Sequence, residues 1–161
     1  LGKIVFINGP PFSGKTYLVS QLLNDVENCK VVNYERFWKN GGYPLFYRAA
    51  LDFATNGHNV IAESASTWFG SDEVDKCPYS FEGVDNLHIL VFPSREKHMH
   101  NFNRFKSFAG NAPTRQRIGP LDIDMWRKNV KIPKPADHLV YDGENYEEIK
   151  RIVLNYVICN K

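Results

Sequence analysis

Gly9-Pro10-Pro11-Phe12-Ser13-Gly14-Lys15-Thr16 is the stretch from which the rest of the chain can be read. It matches G-x-x-x-x-G-K-[ST], a pattern expected about 0.004 times by chance in a chain of this size and composition. Glycines let the backbone curl until successive N–H groups face one centre, which makes a cradle for phosphate oxygens. The N-terminus of a following helix adds partial positive charge. In such a loop Lys15 reaches the β- and γ-phosphates of a nucleoside triphosphate, and the Thr16 hydroxyl ligates Mg2+. Gly9, Pro10, Pro11, Phe12, Ser13, Gly14, Lys15 and Thr16 are therefore candidate contacts for ATP. The flanks agree. Lys3–Asn8 reads as a buried strand, and Leu18, Leu22 and Val26 follow at helical spacing.

Outward from this loop, strand-like and helix-like pieces alternate. Lys30–Asn33, Asn59–Glu63, Leu87–Phe92 and Asp137–Tyr141 read as four further strands. Helices are expected over Pro44 to about Asn56 with Gly57 as a stop, from a Ser94 cap to about Phe108, from Pro120 through Val130, and after an Asn145 cap. Residues 67–85 and 109–119 read as irregular. Five strands alternating with helices imply an α/β fold with a parallel sheet covered on both faces. Ligands of such sheets bind beyond the carboxyl ends of the strands.

The 161 residues suit a single domain, 1–161. With 43% apolar and 14% aromatic residues, the chain has the means to bury a core, which excludes disorder as a description of the whole. The longest apolar runs, such as Ile4–Ile7 and Ile89–Phe92, fall far short of the ~20 residues of a membrane span, so no membrane association is expected. Neither is a signal peptide expected. Cys29, Cys77 and Cys159 form no C-x-x-C pair, which fits a reducing cytoplasm (a host's, if the source is viral). The net charge is +2, but the window 95–131 carries nine Lys/Arg against three acids, leaving the remainder at −4. That block is either an anion site or a solvated helix face.

The loop near the N-terminus of a chain this short resembles the small P-loop kinases. The resemblance is to the polynucleotide kinase-like group, which includes bacteriophage kinases acting on hydroxymethyluracil in DNA. The matching stretches are the loop, Val31–Phe37, Gly57–Glu63, and Leu90–Phe92 with Asn103-Arg104 after it. The resemblance implies a three-layer α/β/α architecture, a five-stranded parallel sheet and a lid after strand 4, at about residues 104–120. In polynucleotide kinases an Asp after strand 2 takes the acceptor proton, and Glu35 stands in that place here. By family position Arg104 is the lid arginine.

Phosphoryl transfer needs positioning, charge stabilisation and a group that deprotonates the acceptor. Glu35 lies just past strand 2, with Arg36 beside it to hold an acceptor phosphate. Glu63 closes strand 3 and is a rival base or a holder of the Mg2+ shell. It resembles the Glu-Arg-Ser site of deoxynucleoside kinases, with Ala65 in place of the Arg. Ser64 and Ser66 are candidate substrate contacts. Arg95, Arg104, Arg115 and Arg117 fall in the lid region, and the last two sit in a Gly/Pro-containing loop suited to movement. Phe37, Trp38 and Tyr43 read either as packing or as a base-stacking wall, and Trp68 and Phe69 similarly. Phe102, Phe105 and Phe108 read as a core stripe. His98 and His100 lack a third metal ligand, and the other histidines and the cysteines are assigned to packing.

The expected activity is Mg2+-dependent ATP phosphorylation of a hydroxyl on a nucleic acid or nucleotide, such as a DNA 5′-hydroxyl or a hydroxymethylated base. A kinase of nucleosides, nucleotides or metabolites shares the same machinery. A nucleotide-gated NTPase would instead tolerate loss of Glu35, and a vestigial nucleic-acid-binding module would bind DNA without ATP. Oligomeric state is left open by the sequence.

Overall fold

A computed structural model describes residues 1–64, 83–106, 119–130 and 138–158. Strands β1 (Ile4–Asn8), β2 (Cys29–Asn33), β3 (Asn59–Ser64), β4 (Asn86–Val91) and β5 (Leu139–Tyr141) form one sheet in the order β2-β3-β1-β4-β5. All four pairings are parallel. The helices are α1 (Lys15–Asp25), α2 (Gly42–Thr55), α3 (Arg95–Phe105), α4 (Pro120–Asn129) and α5 (Tyr146–Ile158), with one 3-10 turn at Tyr34–Arg36.

Alternation along β1 builds the layers. Val5 and Ile7 point into a core shared with Leu18, Leu22, Ile149 and Val153, which places α1 and α5 on one face. Ile4 and Phe6 point the other way, into a core with Tyr43, Phe46, Tyr47, Ala50 and Ala54 of α2. Tyr146 Oη donates to Asp25 Oδ2 at 2.8 Å, and Lys150 Nζ lies 3.0 Å from Asp25 Oδ1, so α5 is tied to the end of α1. From central β1 the sheet grows outward to β3 and β2 on one side and to β4 and β5 on the other. The order therefore reverses beside β1, and the crevice at its carboxyl end is where the loop 9–16 emerges.

Several boundaries differ from expectation for local reasons. Helix α2 begins at Gly42, and Pro44 sits inside its first turn, where a missing N–H costs no helical bond. Its end is closed by Gly57, at φ +84°, whose N–H donates to Ala54 O, while His58 N–H donates to Phe53 O. Ser94 caps α3 as expected, accepting from Lys97 N–H at 3.2 Å. Asn145 does not use its side chain as a cap. Its amide turns back to Asp142 N–H and Val140 O and pins the end of β5. Residues 107–108 at the end of the helix expected from Ser94, and Asp137 at the start of the expected fifth strand, lie outside the described residues with most of the proposed lid.

The aromatic reading also changes. Tyr43 is buried in α2 and stacks on Tyr34 with centroids 4.1 Å apart, and Phe37 packs edge-on against Phe46 at 6.3 Å. Tyr43 is core because α2 starts early enough to carry it onto the sheet, and Phe37 packs half-buried against that core. Of that trio only Trp38 is exposed, at 69%. In the expected α3 stripe Phe102 is buried but Phe105 is 44% exposed, and Phe108 lies outside the described residues. Among the described residues no helix is long and apolar enough to cross a membrane.

Fully buried Phe46 is the centre of the α2 layer. Phe46→Ala is expected to lower unfolding free energy by about 3–5 kcal/mol in urea titrations. Leu121→Ala, at a site 83% exposed, should change it by no more than about 0.5 kcal/mol.

Candidate active site

The loop between β1 and α1 is shaped by residues whose backbone the sequence constrains. Pro10 and Pro11 have no N–H, so past Gly9 the amide donors for an anion resume at Phe12. Ser13 N–H is returned to Pro10 O at 3.2 Å. At the start of α1 the first N–H groups have no intrahelical acceptor and point along the helix axis toward the loop. Gly14 stands at φ +105°, a conformation that side chains avoid. A Cβ on Gly9 would lie 2.4 Å from Val91 O, so only glycine lets the loop leave β1 against β4.

Lys15 is buried, and its ammonium donates to Pro10 O at 2.8 Å. Burial lowers its pKa to about 8, while the nearby carboxylates of Glu63 and Glu35 pull it back up. Thr16 Oγ1 donates to Glu63 Oε1 at 2.7 Å. Glu63 is itself buried, and its second oxygen accepts from Asn33 Nδ2 at 3.1 Å. Beside this group lies a cleft of about 410 Å³. Glu35 and Arg36 line it with Thr16, Asn33 and Glu63, and Val19, Leu23 and Val31 form its apolar wall.

The structure thus brings together Gly9–Thr16, Glu63, Glu35 and Arg36. Ser64 is buried, and its hydroxyl donates to Asn8 Oδ1, tying the ends of β3 and β1. Phe37 packs half-buried against the α2 core, and Trp38 lies exposed beyond the 3-10 turn. Arg104 is exposed in the last turn of α3, with its guanidinium 5.2 Å from the Phe105 ring. Arg115 and Arg117 lie outside the described residues, as do Ser66, Trp68 and Phe69. The basic block is partly consumed by structure. Arg95 makes two hydrogen bonds to Asp124, at 2.7 and 2.8 Å, and Arg127 donates to Pro93 O at 2.6 Å above the Phe92 ring. These contacts join α3 to α4, so Arg95 is a helix clamp.

Sequence pattern alone does not single out Asn33 or Asn101, and it offers His98 only as a metal ligand without partners. Asn33 binds Glu63, as described above. His98 is fully buried, and its Nε2 lies 2.7 Å from Pro11 O, which makes Nε2–H the donor. Burial, together with the positive charges of Arg127 and Lys15, lowers its pKa and keeps the ring neutral. One turn on, Asn101 Nδ2 would be 3.8 Å from a Cβ on Gly14. Phe12, at φ +62°, completes this outer support with its ring edge-on to Phe102 and stacked near Trp126.

The donor set fits a metal-bound triphosphate. Hard oxygen donors, a hydroxyl and a carboxylate, suit Mg2+, which takes one or two protein ligands and completes its shell with phosphate and water. The buried Ser13 Oγ has no hydrogen-bond partner among the described residues and lies inside the loop. Lys15 supplies the cation.

No family model matches the chain, and no curated protein sequence matches it. Solved structures do match. A proposed kinase from Chloroflexus aurantiacus superposes with a TM-score of 0.69 at 15% identity, over 99% of this chain and 98% of that one. A sugar kinase from Janibacter gives 0.63 at 13% identity, over 97% and 94%. A chain of the Pnkp1/Rnl/Hen1 RNA repair complex gives 0.58 at 16% identity, over 80% of this chain and 44% of that one. The fold is therefore the three-layer α/β fold of P-loop kinases, with its five-stranded parallel sheet.

A polyanion seated in the loop favours the charged form of Lys15, whose pKa is already lowered to about 8. Triphosphate affinity should be full below that value. Above it, affinity should fall with a slope approaching tenfold per pH unit until the raised pKa of the complex is reached. Calorimetric titration with MgATP from about pH 7 to about pH 9.5 checks this, and a flat profile contradicts it.

Proposed function

We propose that this protein is a Mg2+-dependent ATP phosphotransferase that phosphorylates a hydroxyl group. The observation that carries the reading is the Thr16–Glu63 hydrogen bond beside the buried Lys15, at the mouth of a cleft that also holds Glu35. Lys15 binds and neutralises the phosphates. Thr16 and Glu63 are the residues to hold Mg2+, which when bound offsets charge on the transferred phosphoryl group. Both Glu63 oxygens are engaged, by Thr16 and Asn33, so Glu63 is assigned to holding the donor side. Glu35, exposed at the cleft on the 3-10 turn, is assigned to the acceptor proton. Arg36 lines the cleft beside it and is assigned to holding the acceptor. Arg104, Arg115 and Arg117 are assigned to a lid over the phosphates, residues about 104–120.

For the acceptor, the resemblance to polynucleotide kinases and the likeness to a chain of an RNA repair complex support a nucleic acid or nucleotide. One observation favours a small hydroxyl compound instead. The cleft has the volume of a small-molecule site, and its described lining carries two carboxylates against one guanidinium, a poor match for a phosphodiester chain.

Transfer from γ-labelled ATP to 5′-hydroxyl DNA, hydroxymethylated DNA, nucleosides and sugars tests both the reaction and the acceptor. Lys15→Ala should lower turnover at least about 100-fold. Glu35→Gln should lower kcat about 10²–10⁴-fold with MgATP affinity nearly unchanged. Retained turnover in Lys15→Ala rejects the assignment. A KM for acceptor that climbs steeply with salt marks a nucleic acid, and a flat one marks a small molecule.

A further inference from the structure

Asn33 ends β2, and the parallel register sets it directly across from Glu63 on β3. Its side chain makes two hydrogen bonds of opposite polarity. Nδ2 donates to Glu63 Oε2 at 3.1 Å, and Oδ1 accepts from the Glu35 N–H at 2.8 Å, capping the 3-10 turn. Only one orientation of the amide satisfies both partners. Turned over, it would set its oxygen against a carboxylate and its NH2 against an N–H.

Because the other Glu63 oxygen accepts from Thr16, a continuous path crosses the site. It runs from the Thr16 hydroxyl through the Glu63 carboxylate and the Asn33 amide to the main chain of Glu35. One end lies in the phosphate loop and the other in the turn that carries Glu35 and Arg36 into the cleft. Transfer rates depend steeply on the relative placement of donor and acceptor groups, so a link between the two halves bears directly on turnover.

We infer that Asn33 is a positioning residue that holds the Glu35 turn in register with the phosphate loop, an assignment that rests on the phosphotransferase reading above. The two bonds can be separated by substitution. Ser and Asp retain an oxygen that caps the turn; Asp has no donor for Glu63 and sets a second carboxylate against it, while the Ser hydroxyl lies one bond nearer the backbone than the amide nitrogen and falls short of Glu63. Ala loses both bonds.

Turnover is read as label transferred from γ-labelled ATP to 5′-hydroxyl DNA, hydroxymethylated DNA, nucleosides or sugars, whichever the parent phosphorylates, binding as calorimetric titration with MgATP, and folding as Tm. Asn33→Ser should keep Tm within about 2 °C of the parent and MgATP Kd within about threefold, while kcat falls about tenfold. Asn33→Asp should lose more kcat than Asn33→Ser, because of its added like charge. Asn33→Ala should combine the kcat loss with a lower Tm. If Asn33→Asp fails to fold, Asn33→Ser and Asn33→Ala carry the comparison. A kcat within about twofold of the parent in Asn33→Ser makes Asn33 a turn cap only and overturns the inference, as does a loss of MgATP affinity that matches the loss of kcat. A parent protein that binds MgATP but transfers label to none of these acceptors overturns the phosphotransferase reading and this assignment with it. An active parent with unaffected variants overturns this assignment alone.

Discussion

An ammonium group buried at the mouth of a sheet has to be compensated, and much of this structure is arranged around that requirement. Lys15 is the first residue of α1 and follows a glycine in the left-handed region, so its side chain is directed into the loop and away from water. Desolvation favours the neutral amine, while Glu63 and Glu35 favour the charged form. A lysine between these pulls, resting on a backbone carbonyl, is held for an incoming polyanion and gains most when one arrives. The carboxylates that support it also have to be kept apart in purpose. Glu63 is tied to Thr16 and Asn33, and Glu35 lies at the cleft.

Shaping the loop carries its own cost, which packing offsets. A phenylalanine in the left-handed region costs on the order of 1–2 kcal/mol. Phe12 accepts it because its ring lands between Phe102 and Trp126. From the same side, His98 donates to the carbonyl of Pro11. Helices α3 and α4 are in turn locked together by Arg95 and Asp124. The loop is thereby built before any ligand arrives, and a preorganised cradle spends less binding free energy on ordering itself.

Local signals in the sequence read well, and the non-local ones did not. The loop motif, the four-residue apolar runs that became β1 and β4, the Ser94 cap and the Gly57 stop each depend on neighbours in the chain. Asn33 looked like an ordinary strand-end residue, because its role comes from a register that pairs it with a residue 30 positions away. His98 meets Pro11 across 87 positions. Net charge over 95–131 left an anion site and a solvated helix face both open, and charge counting cannot see that Arg95 is matched to Asp124 or that Arg127 lies on Phe92. The aromatics after Glu35 stay open between packing and stacking in the sequence because a Gly-Gly pair suggests a loop, whereas Gly42 already begins α2 and carries Tyr43 into the core.

The central claim is that the backbone from Phe12 to Tyr17 grips the phosphates of MgATP. Amide hydrogen exchange with and without saturating MgATP tests it most directly. The account predicts slowed exchange concentrated in the peptide spanning those residues, with the outer strands unchanged. Exchange in that peptide that is identical in the two states would contradict it.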